Sequence, residues 1–179
     1  MRKLFAAALL AAAAGLSTAA FSQDVIHEDV DGIVNFNRIE TTVACAGAIR
    51  PDSVARIKEL GFHSIINLRL PTEEGANIEQ EAAAAKEAGI RFVHLPFGGQ
   101  ELDKTVPDRF LAAIGEPDME PAFIHCAGGG RAATMWFIKR VMSDGWDEDR
   151  ALAEATQLGM RPESRLKTFA MDYLAAHGH

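Results

Sequence analysis

The chain is short of cysteine, of positive charge and of long apolar stretches, and each shortage removes a class of protein. Two cysteines in 179 residues, Cys45 and Cys126, are too few for a disulfide framework. Eighteen Lys and Arg face 25 Asp and Glu, a formal charge of −7, and no basic cluster occurs. A nucleic acid therefore finds no footprint. With 48% hydrophobic and 24% charged residues, the composition lacks the bias of a disordered, collagen-like or coiled-coil chain, and the length fits one globular domain. After the first 22 residues there is no internal repeat, low-complexity segment or linker that would divide it.

The one long apolar run, Leu4 to Leu16, follows Arg2 and Lys3 and precedes the small-residue stretch Ala20-Phe21-Ser22. Its 13 residues fall short of the roughly 20 that cross a hydrocarbon layer. The layout predicts a signal peptide over residues 1–22, a mature domain over 23–179 exported to a bacterial periplasm, and no stable membrane anchoring after cleavage. Loss of Arg2 and Lys3 leaves 16 basic against 25 acidic residues, a formal charge of −9. Such a protein still holds an anion where one local site supplies the donors.

Two β-like stretches, Ile33 to Asn37 and Thr41 to Ala44, suggest a hairpin or sheet edge. Pro51 then opens a helix with Val54, Ile57 and Leu60 on one face, and Gly61 stops it. A strand follows over His63 to Leu68. The next helix opens at Asn77, with Gln80 spaced to reach back as a cap, and ends at Gly89 before a strand over Ile90 to Leu95. Thr105 caps a short helix carrying Phe110, Leu111 and Ile114, and Pro117 and Pro121 bracket the turn into a strand over Ala122 to His125. The remainder reads as helices over Arg131 to Met142, Asp147 to Leu158 and Pro162 to Ala176. Strands separated by helices of this length predict right-handed crossovers in a mostly parallel sheet.

The chemistry concentrates between His125 and Thr134, where a strand runs into Cys126-Ala127-Gly128-Gly129-Gly130-Arg131 and a helix start. Successive unhindered amides can curl around an anion while the helix turns its positive end toward it. The same field favours a thiolate at Cys126, a candidate nucleophile, and Arg131 offers a planar fork to two anionic oxygens. His125, Ala127, Gly128, Gly129 and Gly130 complete the candidate anion site. A tight turn with a buried structural cysteine is the plainer reading of the same residues, and pairing of Cys45 with Cys126 is the plainer reading of the two thiols.

This loop resembles the signature loop of cysteine-dependent tyrosine and dual-specificity phosphatases, in which a His-Cys pair, a glycine-bearing loop and an Arg precede a helix. From about Ile33 to Ala176 the chain is similar to the phosphatase-like family found beside or fused to β-lactamase-like hydrolases, through Gly61-Phe62, Ile66-Asn67-Leu68-Arg69, Glu74 and Trp136. The resemblance implies a single α/β domain, a four- or five-stranded mostly parallel sheet flanked by helices on both faces, and a cysteine-dependent phosphatase-like hydrolase acting on a small anionic ester without a cofactor. It also implies a general acid in the loop Phe97 to Lys104, where Asp103 is preferred over Glu101. In the resembling fold the turn at Cys45 approaches the nucleophile, which makes Cys45 a possible redox partner that resolves an oxidised Cys126.

Two departures keep other functions open. Four residues separate Cys126 from Arg131 where tyrosine-type phosphatases have five, and rhodanese-like sulfurtransferases use the shorter loop to hold a persulfide. Ala132 stands where many phosphatases carry Ser or Thr. The alternatives are a sulfurtransferase taking a sulfane-sulfur donor on Cys126 and a non-catalytic anion- or partner-binding module. Arg69 and Glu74 read as a structural ion pair, and Asp147 as a helix cap. Trp136, Phe137 and Val141 read as core, and the six histidines lack metal-ligand spacing, so no metal is expected.

Overall fold

The computed structural model describes residues 24–40 and 42–179, so the leader expected over residues 1–22 and Thr41 of the expected second strand lie outside the described residues. The strands are β1 (Val25–Val30), β2 (Ile33–Ile39), β3 (Val43–Ala46), β4 (Ser64–Asn67), β5 (Arg91–His94) and β6 (Ala122–His125). The helices are α1 (Val54–Glu59), preceded by a 3-10 turn at Pro51–Ser53, α2 (Ile78–Ala88), α3 (Val106–Ile114), α4 (Gly130–Met142), α5 (Glu148–Gln157) and α6 (Arg165–Ala176).

One sheet of six strands in the order β1-β2-β3-β6-β4-β5 forms the middle layer. The β1/β2 and β2/β3 pairs are antiparallel, and β3/β6, β6/β4 and β4/β5 are parallel. The sheet thus has six strands, not the expected four or five. The added strand is β1, joined to β2 through the two-residue turn Asp31-Gly32 with Val30 paired to Ile33 and Gly32 at φ 76°.

Burial explains the short strands. All four residues of β3, β4 and β6 are buried, as parallel strands covered on both faces require. Alternate residues feed opposite cores. Val43, Cys45, Ile66 and Ile124 join Trp136, Phe137 and the apolar faces of α3 to α6. Ala44, Ala46, Ile65 and Phe123 join Val54, Ile57 and Ala85 beneath α1 and α2. In the second layer Phe123 stacks on Phe36 at 6.0 Å and meets Phe62 edge-on at 5.7 Å. Aromatic pairs of this kind add about 0.5–1.5 kcal/mol beyond area burial. In the first layer, Glu154 of α5 accepts from Trp136 Nε1 (2.7 Å) and Arg140 Nε (2.8 Å), latching α5 to the almost wholly buried α4.

Three local expectations change. Asn77 precedes α2 but forms no side-chain cap; only its carbonyl joins the helix, accepting from Glu81 N. Thr105 likewise does not cap α3; its hydroxyl donates to Asp103 Oδ1 (2.8 Å). The last helix begins at Arg165 rather than Pro162, where the Ser164 hydroxyl accepts from Lys167 N. Asp147 does cap α5, accepting from Arg150 N at 2.9 Å.

Candidate active site

The nucleophile loop leaves β6 at the C-terminal edge of the parallel strands and enters α4, the place where ligands of open α/β sheets collect. Its backbone is tied on several sides. Cys126 N donates to Ala46 O (3.1 Å), Ala48 N donates to Ala127 O (3.0 Å), and Asn35 Nδ2 donates to Gly128 O (3.2 Å). Gly129 takes φ 97°, a left-handed conformation that a β-carbon would strain. That turn brings Gly129 N within 3.1 Å of Cys126 Sγ, to which it donates. The amide thereby stabilises negative charge on sulfur.

Cys126 is only 1% exposed, at the base of a cleft of about 310 Å³. Ala127, Gly128, Gly130 and Arg131 line one side, and Gly159, Arg161, Ser164, Arg165 and Leu166 the other. The first group belongs to the site candidates of the sequence and the second does not. Its signal was the pair of arginines, Arg161 and Arg165, around the start of the last helix.

Arg131 is held by a carboxylate that is likewise outside the site candidates of the sequence. Nη1 donates to Glu73 Oε1 (2.6 Å), Phe97 O (2.7 Å) and Leu68 O (3.2 Å), and Nη2 donates to Glu73 Oε2 (2.8 Å). This uses the end of the guanidinium fork. The remaining side edge, Nε and the second Nη2 proton, has the Cys126 sulfur as its neighbour among the described residues and is placed to meet two oxyanion oxygens beside it. Burial opposes the charge on Arg131, but Glu73 and the Cys126 sulfur outweigh it and hold its pKa above the ordinary arginine value. Burial likewise opposes ionisation of Glu73, yet hydrogen bonds from Arg131, Leu70 N and Arg69 bring its pKa down to about 2.

Glu73 keeps its place through the turn after β4. Leu70 N donates to Glu73 Oε1 (2.9 Å), and the buried Arg69 donates to Glu73 Oε2 (3.3 Å), to Gly75 O (2.6 Å) and to Glu74 O. The expected Arg69–Glu74 ion pair is therefore an Arg69–Glu73 pair, with Glu74 contributing only its carbonyl.

His125, expected in the anion site, does not line the cleft. Strand alternation turns it to the face opposite Cys126, fully buried beside Phe123, with Nε2 at 3.2 Å from Glu81 Oε2 of α2. Asn67 Nδ2 donates to the same Glu81 oxygen (2.6 Å) while Asn67 Oδ1 accepts from Arg69 N (2.7 Å). This polar triad braces the strand end behind the nucleophile.

Asp103 is exposed and does not line the cleft. Its Oδ1 accepts from Thr105 N and Thr105 Oγ1, both at 2.8 Å, and these bonds lower its pKa. In this conformation it serves as a turn acceptor, and its favoured ionised form opposes proton donation. Thr134, after the loop, donates to Gly130 O (2.7 Å) and so does not stand in for the hydroxyl missing at Ala132.

Cys45 lies within β3 rather than in a turn after it, paired with Ile124 and hence on the same sheet face as Cys126 two residues on. Both thiols are free and buried. Burial pushes the Cys45 pKa well above its ordinary value, with Cys126 and Glu154 adding to the effect. Among the described residues no group of three or more His, Cys, Asp or Glu side chains is arranged to hold a metal ion.

Residues 35–143 match the family model of the beta-lactamase hydrolase-like protein, phosphatase-like domain. The beta-lactamase hydrolase-like protein of Xylella fastidiosa is 29% identical over 123 residues, covering 65% of this chain and 28% of that protein, so the chain spans a little over a quarter of that relative. The fold is that of a solved Shewanella putrefaciens protein described as a candidate phosphatase, with a TM-score of 0.68, 17% identity, and coverage of 83% of this chain and 96% of that one. It is also that of the core catalytic domain of the PP-IP phosphatase SIW14 of S. cerevisiae in complex with citrate, with a TM-score of 0.64, 20% identity, and coverage of 81% and 88%.

Proposed function

This chain belongs to the family of the phosphatase-like domain of beta-lactamase hydrolase-like proteins, and from that premise we propose that it is a cysteine-dependent phosphatase of small anionic esters. The observation that carries the proposal is the Cys126 sulfur at the base of the cleft, bonded by Gly129 N and flanked by the side edge of Arg131. Attacking as the thiolate, Cys126 forms an S–P bond while the P–O bond to the leaving group breaks and the electron pair departs on that oxygen. The loop amides and the Arg131 edge hold the non-bridging oxygens as charge builds on them. Water then attacks phosphorus, the S–P bond breaks, and phosphate and the thiolate are released. Glu73 fixes the guanidinium plane and touches no substrate.

The four-residue spacing between Cys126 and Arg131 supports a second reading, sulfur transfer, in which Cys126 takes a sulfane sulfur as a persulfide and passes it to a thiophile. The two separate in one experiment. Purified protein and its Cys126→Ser variant are given p-nitrophenyl phosphate and, separately, thiosulfate with cyanide. Phosphate release lost in the variant supports hydrolysis; thiocyanate formation lost in the variant supports sulfur transfer. The leader over residues 1–22 supports export, and a product recovered from the periplasm beginning near Gln23 is the expected result.

A further inference from the structure

The cleft is larger and more cationic than one tetrahedral oxyanion needs. It opens over a volume of about 310 Å³. The nucleophile loop and the Arg131 side edge occupy one wall. The facing wall carries Arg161 and Arg165.

In a chain with a formal charge of −7, an arginine without a carboxylate is informative. Arg38, Arg50, Arg56, Arg69, Arg91, Arg131 and Arg140 each pair with Asp or Glu, and Arg109 and Arg150, which do not, lie away from the cleft lining. Neither cleft-wall arginine does so among the described residues. Arg165 is spent on carbonyls, donating to Gln100 O (2.8 Å) and Gly99 O, and so ties the loop after β5 to the start of α6. Arg161 has no side-chain partner among the described residues. Its main chain is nonetheless fixed, because Ser164 Oγ donates to Arg161 O (2.7 Å) while accepting from Lys167 N. A positioned backbone thus carries an exposed, unpaired arginine at the cleft wall. Among the described residues no Asp or Glu lines the cleft to supply a proton to a leaving oxygen.

These observations point to one substrate chemistry. Resting on the phosphatase reading above, we propose that Arg161 forms a second anion subsite and that the substrate is a small molecule bearing a phosphoanhydride. The terminal phosphoryl group sits on the Gly-rich loop and the adjacent phosphate on Arg161. Cys126 forms the S–P bond to the terminal phosphorus, the bridging P–O bond breaks, and the electron pair stays on the departing phosphate. That group leaves as a stable anion, since its second pKa is about 6, and needs no protein acid. Water then hydrolyses the S–P bond as in the general scheme.

The test uses binding, so it does not depend on turnover. Titration calorimetry of the Cys126→Ser protein, with chelator present, measures Kd for orthophosphate and for inorganic pyrophosphate. Pyrophosphate is expected to bind at least about tenfold tighter, the usual size of an added hydrogen-bonded charge contact. Adding Arg161→Ala should bring the ratio to within about twofold of one, while Arg109→Ala, on the exposed face of α3, should keep it. If orthophosphate binds and pyrophosphate gains nothing, or if the gain survives Arg161→Ala, the subsite is wrong and the phosphatase reading stands. If neither ion binds, both fall.

Discussion

At the residue scale the site depends on Glu73, which fixes Arg131 from behind. Its depressed pKa has a definite consequence for stability. A group with a folded pKa below its unfolded value contributes stability above the unfolded pKa and loses it as pH falls through the folded one. For Glu73 that window runs from the ordinary value of 4.5 down to about 2. The urea midpoint of Glu73→Gln should therefore lie below that of the wild type at pH 6 to 7, with the gap closing as pH drops below about 4.5. A gap that stays constant to pH 3 would mean that the Arg131 pair does not hold the carboxylate. Cys45 yields a second prediction. Since its thiol is disfavoured as an anion and lies off the cleft lining, iodoacetamide at neutral pH should label Cys126 well before Cys45. The proposed resolving role requires a linked Cys45/Cys126 peptide on non-reduced mass spectrometry after peroxide, absent in Cys126→Ser. No such peptide in the wild type would remove Cys45 from the chemistry. The sequence announced Cys126 and Arg131 because a glycine run between a buried strand and a helix leaves the backbone few other uses. It could not choose Glu73 over Glu74, since which neighbouring carboxylate turns inward depends on how the 70–75 turn folds around Arg69.

At the scale of elements, the C-terminal loops of three strands meet at Arg131, and each must leave room for it. The tightest is the loop after β5, where a β-carbon built on Gly98 would stand 2.7 Å from Arg131 Nη1. Gly98→Ala must therefore shift the guanidinium away from Phe97 O or push the loop outward. A displacement of about 1 Å at a reacting centre costs up to roughly 100-fold in rate. The expected result is a loss of about 10- to 100-fold in kcat/KM for p-nitrophenyl phosphate with only a small fall in Tm. An unchanged kcat/KM would show that the Arg131 position tolerates the shift. Element types were legible in the sequence because hydrophobic period and stop glycines such as Gly61 and Gly89 are local signals. Caps were legible only in part. Asp147 has Arg150 N within reach, whereas the backbone at Asn77 takes ψ 55° and its side chain forms no cap. Strand β1 went unread although Asp31-Gly32 is a strong hairpin dipeptide, because an exposed edge strand such as Val25–Val30 has a weak apolar pattern.

At the scale of the whole molecule, the nucleophile loop touches β2, the loops after β4 and β5, and both layers of the core. Asn35 of β2 holds Gly128, Arg131 gathers the loops after β4 and β5, and His125 and Cys126 point into opposite layers. None of this connectivity was legible in the sequence, because periodicity reports which face of a strand is buried and not which strand lies beside it; that β6 inserts between β3 and β4 is a property of the assembled sheet. An anion bound at the loop should consequently stabilise the domain as one unit rather than a local segment. By mass action a ligand at 100 times its Kd adds about 2.7 kcal/mol to a folded state that alone binds it. In a domain of this size each kcal/mol raises Tm by roughly 2–4 °C. Orthophosphate at that excess should then raise the calorimetric Tm of Cys126→Ser by about 5–10 °C, in a single transition. Arg131→Ala should remove most of the rise, because the side edge that meets the oxyanion is gone. A phosphate-dependent shift confined to part of a split transition would show that the site belongs to one layer and does not bind the two together.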